Sequence, residues 1–261
     1  MLSSAEQLQE LQIQFLQSSQ VAEIDRQSHR LRLQNDEFFP YNKLLIATGA
    51  SARKLTCTGG EHALVLRNLD EALAFCCLLA PGKHLILIGA GFIGLELAAS
   101  ARKVDCKVTV LEMAQRILGR AVPPEVAEVV ASEHKRQGVE IRCDIELDQI
   151  QASKSGYTIE LKNGESISGD LVVAGIGAVP EVALAEAAGL DIENGVSVNA
   201  FLQTSDPDIY AVGDCCSFPH PLYEQQRMRL EMWRCARDQA ECAVQNLLGE
   251  TKEFSAIPWF W

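Results

Sequence analysis

Hydrophobic and polar positions change period along the chain, and each change predicts an element. Leu8, Leu11 and Phe15 fall on one face of a predicted short helix over residues 3–17. From Ser19 the pattern alternates, predicting two or three short antiparallel strands with turns at Arg26–Ser28 and Asn35–Asp36. Leu44–Ala47 reads as an apolar strand that ends at Thr48-Gly49, and residues 50–66, with Gly59-Gly60, read as loop. A helix capped by Asn68 or Asp70 then runs through Leu79 and stops at Pro81-Gly82. Strand His84–Ile88, helix Phe92–Val104 and strand Lys107–Leu111 follow. Next come a helix opened by Pro123-Pro124 that runs through Gln137, and strand Val139–Cys143. Tyr157–Leu161 and Glu165–Ser168, joined at Asn163-Gly164, predict a hairpin, and Leu171–Ala174 another strand. After Gly189 the pattern gives short strands at Val196–Val198 and Asp208–Val212 and a long helix over Arg229–Leu248, closed by Gly249. Strands alternating with helices require a parallel sheet with right-handed crossovers, so the fold class is α/β.

One junction carries chemistry. Between the strand at His84 and the following helix stands Gly89-x-Gly91-x-x-Gly94, and the next strand ends in an acid, Glu112, 18 residues after Gly94. The first glycine permits a tight turn, the second lets the backbone approach a pyrophosphate, and the third lets helix and strand pack closely. The helix start offers unpaired N–H groups and a partial positive charge to the phosphates. A carboxylate at Glu112 accepts from ribose hydroxyls and repels a 2′-phosphate, which favours NADH over NADPH. Arg116 lies close by in sequence and argues the other way unless it is solvated.

Composition narrows the partners. The 261 residues carry a formal charge of −12, which opposes nucleic acid and anionic membrane as partners. No apolar run nears the roughly 20 residues that span a bilayer. The Gln/Glu-rich N-terminus lacks the basic region of a secretory signal. Nine cysteines with no C-x-x-C spacing read as reduced thiols of a cytoplasmic protein, and five histidines without ligand spacing predict no metal site.

Several segments together resemble the FAD-dependent pyridine-nucleotide oxidoreductases: "YNKLLIATGA", "LILIGAGFIGLELAA", "RAVPPEVAEVV", "LVVAGIGAVPE" and "TSDPDIYAVGD". "RLEMW" and "IPWFW" are similar to the ferredoxin-reductase branch that serves dioxygenases and cytochrome P450 systems. The resemblance implies two Rossmann-like domains, an NAD domain inserted in a FAD domain, and a C-terminal interface domain. It places Gly89, Gly91, Phe92, Ile93, Gly94 and Glu112 in the NADH site, with Gly177 in a second glycine loop near the adenosine and Glu96 near the nicotinamide. Thr48-Gly49 matches a turn of the FAD domain, and Gly213-Asp214 matches the pair whose aspartate holds the flavin ribityl chain. Trp233 matches an aromatic lying against the nicotinamide and flavin, although its periodicity alone reads as core.

The implied activity is transfer of electrons from NADH through FAD to a ferredoxin-type iron–sulfur protein. Rubredoxin, peroxide or oxygen reduction on the same fold and a non-catalytic dinucleotide-binding module are the alternatives. The absence of C-x-x-x-x-C argues against the disulfide-reducing branch. The implied division is 1–65 and 186–250 for the FAD domain, 66–185 for the NAD domain and 251–261 for the start of the interface domain. Against the family pattern, the first glycine is Gly49, so the FAD domain's own glycine loop is missing and the chain reads as a reductase lacking both ends. NADH binding is expected, with FAD held weakly or not at all: losing about 4 kcal/mol of phosphate contacts weakens binding roughly a thousandfold. Arg227, Arg229, Arg234 and Arg237 around the start of the last helix form either a basic face for an acidic ferredoxin or a solvated helix face.

Overall fold

The computed structural model describes residues 4–259. The chain divides into a split unit, Met1–Ala50 with Pro180–Trp261, and an inserted unit, Ser51–Val179. Segment 51–66 belongs to the inserted unit because its backbone is tied there. Ile150 N–H donates to Thr58 O at 2.8 Å, and Leu64 N–H to Val172 O at 2.9 Å.

The inserted unit has three layers. Its elements are α1 (Leu69–Leu78), β1 (His84–Ile88), α2 (Phe92–Lys103), β2 (Lys107–Leu111), α3 (Pro124–Arg136), β3 (Val139–Arg142), β4 (Leu147–Ser153), β5 (Gly156–Leu161), β6 (Ser166–Gly169) and β7 (Leu171–Ala174). The parallel sheet has the order β7-β1-β2-β3, and β6-β5-β4 forms an antiparallel sheet. Leu85, Leu87, Val108 and Val110 turn to the face covered by Phe75 of α1, Leu95 of α2 and Ala127 of α3. Ile86, Ile88, Leu111 and Val172 turn to the other face, against Ile150, Ile159 and Leu161 of the antiparallel sheet. Burial on both faces is why β1 reads as an unbroken apolar run and β2 is interrupted only by Thr109, itself buried and hydrogen-bonded to His84 and Glu140. Asn68 caps α1 through a reciprocal box with Glu71.

The split unit holds an antiparallel sheet of Val21–Asp25, Arg30–Leu33 and Phe38–Pro40, and a parallel pairing of Leu44–Ile46 with Ile209–Ala211. Its core gathers Ile24, Ile46, Ile209, Phe218 and Cys235, the last from the final helix, Trp233–Leu247.

Three expectations are corrected. The predicted helix over 3–17 is only Ala5–Glu10; Leu11 ends it, Gln12 turns left-handed (φ 56°), and Leu11 and Phe15 stay 67% and 59% exposed. Its residue 3 lies outside the described residues. The last helix starts at Trp233 rather than Arg229, because Gln226–Met228 pairs as a strand with Cys216–His220. The sequence pattern predicts no element between Cys143 and Tyr157; β4 lies there, and with only Ile150 fully buried its alternation is too polar to show. Among the described residues no helix is long and apolar enough to cross a membrane.

Candidate nucleotide-binding site

Strand register builds the site. Ile88 pairs with Leu111 and Leu111 with Arg142, so the carboxyl ends of β1, β2 and β3 are level. The Gly89 turn thereby lies beside the residue that follows β2, Glu112. Ala90 N–H donates to Glu112 Oε2 at 2.7 Å, and Ala114 N–H donates to Oε1 at 2.9 Å. The carboxylate is half-buried, leaving further lone pairs for a ligand.

The three glycines differ in what forces them. Gly89 has φ +99°, and a Cβ there would lie 2.5 Å from Gly175 O. A Cβ on Gly94 would lie 2.2 Å from Gly89 O. A Cβ on Gly91 meets nothing within 4 Å, so that side of the turn is open. Gly91 is the cap of α2, makes no side-chain cap hydrogen bond, and no acid stands in the first turn. This open, uncapped helix start fits a diphosphate: the backbone can be approached at Gly91, and the macrodipole is not neutralised from within.

Phe92 is half-buried, whereas Ile93 and Glu96 are exposed on α2. Gly177 is left-handed (φ +101°), and its carbonyl accepts Arg53 N–H at 2.9 Å. Arg116 is held inward: Nη1 donates to Val122 O at 3.0 Å and Nη2 to Gly119 O at 2.9 Å. Its guanidinium is thus engaged with its own loop. Gly175 and Leu118, which brace the turn, were missed; two residues before Gly177, Gly175 was the readable signal, while Leu118 offered none.

The remaining candidates lie in the split unit. Thr48 Oγ1 donates to Glu181 O at 2.6 Å, and Gly49 is left-handed at φ +73°. Gly213 is left-handed, its N–H donating to the buried Gln239 Oε1 at 2.7 Å, and Asp214 stands half-buried beside it. Gln239 Nε2 and Arg229 Nε are buried without a partner near this turn. These orphaned donors fit a polyhydroxy ligand at Gly213-Asp214. Trp233 is 55% exposed, which corrects the core reading. The basic cluster is matched by acids: Arg227 with Glu193, Arg229 with Glu231, Arg234 with Asp238 and Arg237 with Glu241.

All nine cysteines are free. Burial pushes the Cys235 thiol up to about 12 and Cys216 well above its usual range, so neither supplies a thiolate near neutrality.

The parallel sheet, its flanking helices and this glycine turn define a Rossmann-like α/β scaffold. The chain belongs to the pyridine nucleotide-disulphide oxidoreductase family, which it matches over residues 2–240. It is 36% identical over 245 residues to the ferredoxin–NAD(+) reductase component of an anthranilate 1,2-dioxygenase system from Burkholderia cepacia, covering 93% of this chain and 60% of the relative. It is 37% identical over 259 residues to putidaredoxin reductase CamA of Pseudomonas putida, covering 95% of this chain and 61% of the relative. The structure superposes on a ferredoxin reductase for the CYP199A2 system of Rhodopseudomonas palustris with a TM-score of 0.95 at 36% identity, covering all of this chain and 65% of that one. The chain thus spans about three fifths of the length of these curated relatives.

Proposed function

We propose that the chain is the NADH-binding portion, with part of the flavin-binding portion, of a cytoplasmic reductase that passes electrons from NADH through FAD to a ferredoxin-type iron–sulfur protein. The NAD and FAD domains of that reading are the inserted and split units respectively. The observation that carries it is the uncapped α2 start facing an open Gly91, with the Glu112 carboxylate beside the same turn. Similarity to ferredoxin and rubredoxin reductases supports the acceptor class.

Each residue has a stated task. The N–H groups at the start of α2 hold the diphosphate, and Glu112 accepts the adenosine ribose hydroxyls. Glu96, exposed one turn further along α2, is the residue that the family resemblance assigns to the nicotinamide. Gly213-Asp214 takes the flavin's ribityl hydroxyls, and Trp233 offers an exposed ring for stacking. The flavin, when bound, supplies the conversion of a two-electron donor to one-electron delivery; the protein supplies alignment.

The test is a calorimetric titration of the purified chain with NADH and NADPH. NADH should bind, and NADPH at least about tenfold more weakly, because Glu112 faces the 2′-phosphate and Arg116 is committed elsewhere. Absence of heat with NADH would overturn the reading. A second reading is a nucleotide-binding module without electron transfer, favoured by an inserted unit that carries the Gly89 turn, Gly94 and Glu112 together. After incubation with FAD and desalting, a visible flavin band that bleaches on adding NADH supports the reductase; a colourless chain that still binds NADH supports the module.

A further inference from the structure

We propose that Glu112 has a second task, independent of any ribose: it is the latch that holds the phosphate turn in shape before ligand arrives. The proposal rests on the dinucleotide reading and extends it from contact with ligand to positioning of backbone.

Both oxygens of Glu112 are already engaged by main chain. Oε2 accepts the N–H of Ala90, inside the glycine turn, and Oε1 accepts the N–H of Ala114, beyond β2. The other side of the same peptide region is tied as well: Leu118 N–H donates to Ala90 O at 3.0 Å. Leu118 is left-handed (φ 52°) and buried, so its N–H is presented by a constrained backbone. Ala90 itself is fully buried. The residue between the first two glycines is therefore clamped through both its N–H and its C=O by the segment that follows β2. A charged acceptor on a buried N–H makes a strong hydrogen bond, and its loss leaves that donor unpaired.

A consequence follows for cofactor preference. Exchanging Glu112 for a neutral side chain removes a charge that repels phosphate, but it also releases the turn that every dinucleotide must use. Such variants should lose NADH affinity without a compensating gain for NADPH. Electrostatics alone says the opposite: removing a negative charge beside an anion should tighten anion binding.

That opposition in sign provides the test. The probes are ADP and 2′,3′-dideoxy-ADP, which share the diphosphate but differ in the ribose hydroxyls. Calorimetry compares the wild-type chain with Glu112→Gln and Glu112→Asp, at a temperature well below the melt of each. Glu112→Gln keeps the shape but can accept only one of the two N–H groups, since its amide nitrogen is a donor. If Glu112 is a latch, this variant binds dideoxy-ADP several-fold more weakly than wild type does. In the ligand-free chain the Ala90 or Ala114 amide should also exchange with solvent about tenfold faster. Glu112→Asp, which keeps both acceptors on a shorter stem, should recover part of the loss. If Glu112 only contacts ribose, dideoxy-ADP binds Glu112→Gln as well as or better than wild type, amide exchange is unchanged, and the proposal is overturned while the nucleotide reading stands. A wild-type chain that binds neither probe overturns both.

Discussion

His84 illustrates how one side chain at the start of β1 can report on the sheet. Its Nδ1 lies 2.8 Å from Ser168 O, which can only accept, so that nitrogen carries the proton. Its Nε2 lies 2.8 Å from Thr109 Oγ1, which also reaches Glu140 Oε2 at 3.1 Å. Thr109 has one proton for two acceptors, and protonating His84 would relieve that shortage. Burial and the Lys107 charge act against protonation and outweigh Ser168, Glu140 and Asp170, so the imidazole titrates below its usual range. Burial lowers His134 likewise. With folded values below the unfolded value of about 6.5, the unfolded chain takes protons first as pH falls. The stabilisation is therefore whole above about pH 6.5 and is lost as pH drops toward the folded values. Urea melts of the chain at pH 7.5 and 5.5 should show the loss, and His84→Gln and His134→Gln should each reduce the difference between the two pH values.

At the scale of elements, the β1–turn–α2–β2 unit separates folding from binding glycine by glycine. Gly94→Ala places a Cβ 2.2 Å from Gly89 O, and the helix must move; the cost should be about 1–3 kcal/mol, with nucleotide affinity falling alongside. Gly91→Ala meets no neighbour and needs no left-handed backbone (φ −79°), so its melt should match wild type while NADH affinity falls. Calorimetry paired with thermal melts checks both, and equal destabilisation of the two variants would contradict the cradle. This unit was legible in the sequence because strands buried on both faces give the runs LILI and VTVL, the second broken only by Thr109, with glycines after the first. Where burial is one-sided or absent, legibility failed. Leu11 and Phe15 keep helical spacing yet stay exposed, so nothing extends the helix past Glu10. The last helix has Met232 at its cap, not a Ser, Thr, Asp or Asn, so no sequence signal marked its start. The latch on Ala90 was invisible because β1 and β2 meet only through strand register.

At the scale of the whole molecule, the cores are separate. Ile24, Ile209 and Phe218 belong to one cluster of the split unit, while the clusters built on Leu85 and on Ile86 lie in the inserted unit. Among the described residues, those that fit a dinucleotide diphosphate belong to the inserted unit. A ligand stabilises what it binds by RT ln(1 + [L]/Kd), about 2.7 kcal/mol at a hundredfold excess over Kd. With NADH at that excess, protection against hydrogen exchange should rise across β1, β2 and α2. The strands Val21–Asp25 and Ile209–Ala211 should change little, because they lie outside the unit that carries the Gly89 turn. Uniform protection of both units would mean that they unfold as one cooperative body. Protection confined to the split unit would place the dinucleotide at Gly213-Asp214 instead, contradicting the assignment of the Gly89 turn.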